Sequence, residues 1–120
     1  MSSIKSYQDL IVWQKAMELV EKIYLETIRF PRTEVFGITA QMRRSAASIP
    51  SNIAEGHARN GTGEFRHFLG ISKGSLAELE TLIILSGKLN YLNATICESL
   101  MSKCSEVNKL INGLLRSLSK

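Results

Sequence analysis

Between Gln41 and Gly56 the chain reads QMRRSAASIPSNIAEG, and this run constrains the fold more than any other. On a wheel of about 100° per residue, Gln41, Arg44, Ser48, Asn52, Glu55 and Arg59 fall on one side. Ala40, Ala46, Ala47, Ile49, Ile53 and Ala54 fall on the other. A strand would place alternate residues together, so the pattern demands a helix with one dry and one wet face. Arg43 breaks it by projecting into the apolar arc. A guanidinium there keeps its charge and needs either a partner or a route to water.

The same period recurs along the chain and predicts four helices joined by short turns. The first spans about residues 9–29, with Ser6 and Asp9 as a capping signal. Trp13, Ala16, Met17, Val20, Ile23, Tyr24 and Thr27 make its apolar stripe, while Ile11 and Leu25 stand on its wet face. Phe30-Pro31-Arg32-Thr33 is the first turn, with Thr33 placed to cap a second helix over about residues 34–58. Pro50 lies inside that helix, removes one backbone donor and crowds the carbonyl of Ala46. The expectation is a kink, or else a stop near Ser48 and a restart. Arg59-Asn60-Gly61-Thr62-Gly63 is a loop, and Thr62 is placed to cap a third helix running to about residue 89. Its apolar arc holds Phe65, Phe68, Leu69, Leu76, Leu79, Leu82 and Ile83. Gly70 and Gly74 would let a neighbouring backbone come close. Asn90-Tyr91-Leu92-Asn93 is the last turn, and Asn93 caps a fourth helix over about residues 93–118. The predicted fold is all-α: a single domain, residues 1–120, forming an antiparallel up-down-up-down four-helix bundle with a kinked second helix.

Composition limits the chemistry. The chain has 120 residues, 44% hydrophobic and 22% charged, as expected of one globular domain with a modest core. No apolar run approaches the roughly 20 residues needed to span a bilayer, so no membrane partner is expected. The opening MSSIKSYQDL lacks the apolar core of a secretory signal, which predicts a cytoplasmic location. Cys97 and Cys104 sit about 10 Å apart along one helix, too far for a disulfide, and read as free buried thiols. Glu64 and His67 give one Glu-x-x-His, where a di-iron bundle needs two such pairs and two further inward glutamates. His57 has Ala54 where its partner would stand. There is no P-loop and no serine, histidine and acid at a recognisable spacing. No catalytic residue, metal site or cofactor is assigned, and the chain is read as a non-enzyme.

The net charge of +4 permits contact with RNA or DNA. Arg44, Arg59, Arg66, Lys73 and Lys88 are the candidate phosphate ligands, with Arg66 and Lys73 on one stripe of the third helix. Without interleaved aromatics, binding would be to the backbone and salt-sensitive. Arg43, Asn52, Glu55, Ser75, Glu78 and Glu80 are read as a structural polar network. Glu78 is the expected partner of Arg43, the alternative being a path past the alanines to water.

Several motifs occur in a fixed order: Leu10 with Val12-Trp13-Gln14-Lys15-Ala16, Phe30-Pro31 with Glu34 and Gly37, the 41–56 run, Arg59, and Gly74-Ser75-Leu76 with Glu78-Leu79-Glu80. Together they resemble the small four-helix-bundle proteins encoded in intervening sequences of 23S ribosomal RNA genes. Accessory proteins of diversity-generating retroelements are relatives of that family. Ser45 and Ser72 stand where the family pattern has alanine. The resemblance implies assembly as a homopentamer. For the retroelement relatives it implies binding of nucleic acid and of a reverse transcriptase. The leading expectation is therefore a homo-oligomeric adaptor that contacts RNA or DNA through phosphates. The alternative is a structural assembly protein with a protein partner and no nucleic acid.

Overall fold

The computed structural model describes residues 6–119. Its helices are α1 (Ile11–Thr27), α2 (Ile38–Ala58), α3 (Thr62–Lys88) and α4 (Ala94–Leu118), with short 3-10 turns at Tyr7–Asp9 and Arg32–Glu34. They form an antiparallel bundle of 45 × 25 × 23 Å, its long dimension set by α3. Each helix packs on its two neighbours in the ring α1–α2–α3–α4, and α2 against α3 is the closest pairing. Leu19, Ile23, Met42, Ile49, Ile53, Leu69, Leu79, Ile83, Leu100 and Ile111 fill the centre and are fully buried.

Helix starts differ from the sequence reading where a side chain caps from outside. Ser6 and Asp9 do form a capping box: Gln8 N–H donates to Ser6 Oγ at 3.1 Å and Ser6 N–H to Asp9 Oδ2 at 3.3 Å. The box closes a separate 3-10 turn, after which extended Leu10 delays α1 to Ile11. The buried stripe of α1 is Val12, Ala16, Leu19, Ile23 and Thr27, rotated from the expected one. Met17 and Tyr24 are exposed, because α1 must face α4 as well as α2.

Helix α2 begins at Ile38 and not at Glu34. Glu34 stays outside the helix and turns its carboxylate back over the start, accepting Ile38 N–H at 3.3 Å and Tyr91 O–H at 2.9 Å. This fills the role expected of Thr33, which is exposed. A Cβ on Gly37 would collide with that same carboxylate. The helix then passes through Pro50 without interruption. Beside it, Ser72 Oγ donates to the Ile49 carbonyl at 2.9 Å and ties α3 to α2 where the proline sits.

Close approach of α2 and α3 depends on Gly56, where an added Cβ would lie 2.6 Å from Phe68 Cβ. Gly70 and Gly74 have no atom within 4 Å of an added Cβ, so within this chain they do not serve such an approach. The residue before α3 is Gly61, with no side-chain cap from Thr62. Asn90 adopts a left-handed φ of 63°, and Tyr91 N–H returns to the Ser86 carbonyl at 2.9 Å to close α3. Asn93 caps α4 as expected, accepting Ile96 N–H at 2.8 Å.

Candidate interaction surfaces

The polar side of the 41–56 run forms a hydrogen-bonded seam with α3. Ser48 Oγ and Ser75 Oγ are 2.8 Å apart. Asn52 Nδ2 donates to the Ser48 carbonyl at 2.8 Å and to Ser48 Oγ at 2.9 Å. Two residues of the expected network, Asn52 and Ser75, thus meet through a third, Ser48. The wheel already placed Ser48 on the polar side, but only the antiparallel register sets it opposite Ser75. Glu55 lies one turn on, pairs with Arg59 at 3.0 Å, and is half-exposed. The Arg59 guanidinium also sits 5.2 Å from the Phe68 ring centre. Glu78 is exposed, and Glu80 is half-buried near Cys104.

Arg43 does not pair with Glu78. It crosses to α1, donating Nε–H to Thr27 Oγ1 at 2.9 Å and Nη2–H to the Tyr24 carbonyl at 3.3 Å. Its guanidinium carbon lies 4.6 Å from the Tyr24 ring centre. The charge is satisfied by the carbonyl end of α1 and an aromatic face. Glu78 points away on the outer side of α3.

The five basic candidates divide into separate groups. Arg66 donates to the Leu115 carbonyl at 3.0 Å and to Ser119 Oγ at 2.5 Å, so it caps the last turn of α4. Lys73 donates to Asn112 Oδ1 at 2.8 Å. Both therefore line the α3–α4 seam, whereas Arg59 lies against α2. Arg44 and Lys88 are exposed in the opposite half of the bundle and have no partner among the described residues.

The sequence matches the family model for 23S rRNA-intervening sequence proteins over residues 8–113. The chain belongs to that family. A crystal structure of a protein of unknown function from the S23 ribosomal protein family of Bacteroides thetaiotaomicron shares the fold, with a TM-score of 0.79. It is 25% identical, and the match covers 88% of this chain and 98% of that one. A search of curated proteins found no match. In this member of the 23S rRNA-intervening sequence family, the motif residues Glu34, Gly37 and Gly56 have structural roles, at the start of α2 and at its contact with α3.

Titratable chemistry is sparse. Burial, aided by the charge of Glu80, pushes the Cys104 thiol up to about 12, which keeps it protonated and inert. The hydrogen bond to Glu34 raises the Tyr91 phenol above its ordinary value, with burial and the glutamate's charge adding to it. His57 and His67 pack edge-on against Phe65 and Phe68. Among the described residues no cluster of three or more His, Cys, Asp or Glu side chains could hold a metal, and no helix is long and apolar enough to cross a membrane.

Proposed function

We propose that this protein is a non-enzymatic, homo-oligomeric adaptor that contacts RNA or DNA through phosphates. The observation that carries the reading is apolar exposure at one end of the bundle. Phe36 is 94% exposed, with Ile28 at 67%, Leu25 at 61% and Val35 at 53% around the same α1–α2 turn. Exposed Leu85 and Leu89 lie at that end too, at the close of α3. A protein on its own rarely leaves so many large apolar side chains wet at one end, so assembly through this end is the simplest way to cover them. Family resemblance makes a pentamer the expected assembly. Arg44 and Lys88, unpartnered among the described residues, and the spare N–H groups of Arg66 are the phosphate ligands. A retroelement relation would add a reverse transcriptase as partner, and a reverse transcriptase gene beside this one would bring it in.

A second reading, a structural assembly protein without nucleic acid, is favoured by a different observation. Arg59, Arg66 and Lys73 already donate to groups of their own chain. Light scattering at low and high salt, with and without a short structured RNA, tests both. An oligomer that gains mass with RNA only at low salt supports the adaptor. An oligomer indifferent to RNA supports the second reading, and a monomer defeats both.

A further inference from the structure

A cleft of about 680 Å³ lies between α1 and α4 and has no part in the surfaces above. Lys15, Lys103 and Lys109 line it, together with Ser102, Ser105 and a single acid, Glu106. Lys15 is held 3.9 Å from Glu106 across the cleft and 3.8 Å from Glu18. Lys103 and Lys109 have no partner among the described residues. Lys15 is held between Glu106 and Glu18, so the positive character of the cleft comes from Lys103 and Lys109.

Its floor is apolar. Ile11, 60% exposed, stands beside Leu110. A second cleft, of about 370 Å³, shares Ile11, Lys109 and Leu110 with the first, and Val12 and Leu114 continue the apolar lining. Side by side, the two clefts make a groove along α4 from Ser102 to Ser117, a rise of about 22 Å, or four helical turns.

We infer that this groove docks an acidic amphipathic helix of a partner protein. Charge and apolar surface must be matched together, and few ligands do both. A phosphate backbone would neutralise the lysines but leave Ile11 and Leu110 in water. A wholly apolar helix would cover the floor but offer nothing to Lys103 and Lys109. A helix with an apolar stripe and flanking carboxylates fits both features, and its anchors would recur at i, i+4 and i+7. The lysines would steer its approach and Ile11 would hold it in place. This surface and its ligand are independent of the phosphate contacts proposed above.

The test is a direct titration of the intact protein with three fluorescent probes of matched length: a synthetic helix of about 15 residues with leucines along one stripe and glutamates on its flanks, its lysine-for-glutamate twin, and an oligouridylate. The acidic helix is expected to bind and the twin not. Lys103→Glu with Lys109→Glu, and separately Ile11→Ser, should each weaken it by about tenfold or more. Ile11 and Lys109 are exposed and Lys103 is half-buried, and far-ultraviolet circular dichroism checks that each variant stays helical. Equal binding of the twin, full displacement by the oligouridylate, or unchanged affinity in either variant would overturn the inference. So would failure of the acidic helix to bind.

Discussion

Arg43 and Thr27 join the second helix to the end of the first: the guanidinium Nε–H donates to Thr27 Oγ1 at 2.9 Å. Thr27 in turn donates to the Ile23 carbonyl at 2.7 Å, so the arginine extends a chain of hydrogen bonds already begun within α1. Replacing Arg43 by methionine keeps the bulk of the stem but removes these bonds and the Tyr24 contact. Urea melts should show a loss of about 1–3 kcal/mol. Glu78→Gln, on the exposed side of α3, should stay within about 0.5 kcal/mol of wild type. An equal loss in both variants would mean that Arg43 depends on Glu78 after all.

Gly56 and Gly70 should respond in opposite directions to the same change. Gly56→Ala forces a Cβ to 2.6 Å from Phe68 Cβ and should cost about 1–3 kcal/mol, since neither helix can withdraw without opening the core. Gly70→Ala points into open space inside α3 and should gain up to about 1 kcal/mol from helix propensity. Thermal melts of the two variants side by side are sufficient. Destabilisation at Gly70 would show that another copy of the chain presses on it.

The Glu34–Tyr91 bond gives stability a dependence on alkaline pH. The phenol is raised above its ordinary 10.0, so between the unfolded and folded values the native state holds a proton that the unfolded state has lost. The contribution is complete below pH 10.0 and falls away as pH rises through the folded value. Wild type should therefore lose stability faster than Tyr91→Phe above that point, as read from the difference between their melting temperatures across pH. Parallel curves would mean that the bond is not formed in solution.

Burial should separate the two thiols. Cys104 is buried and held protonated up to about pH 12, whereas Cys97 is half-buried near the start of α4. Mass spectrometry after brief alkylation of the native protein should find the label on Cys97, and on both residues once urea is added. Prompt labelling of Cys104 in the native protein would show that α3 and α4 part readily.

Much of the architecture is legible in the sequence because helical periodicity and turn chemistry act locally. The apolar arc of α3 lies where the spacing puts it, and Asn93 caps where its type predicts. Helix starts were harder to read, since Glu34 reads as a first-turn acid yet caps from outside the helix. The rotation of α1 is not legible in its own period, because Leu19 is buried only when α4 closes the fourth side. Polar partnerships were least legible. Whether Arg43 meets Glu78 or Thr27, and whether Lys73 faces solvent or Asn112, depends on helix register and rotation. The surfaces follow the same rule: the α1–α4 groove brings Lys15 to Lys103 and Lys109, which lie far from it in sequence and share no motif with it.

An even number of alternating helices brings the start of α1 and the end of α4 to the same end of the bundle. Leu10 and Val12 share one cleft with Leu114 and Ser117. A short linker should therefore join the two ends, and a new opening in the exposed turn at Asn60 would break no helix. The fold is a closed circuit of four helices, and the order in which a gene visits them is one choice among several.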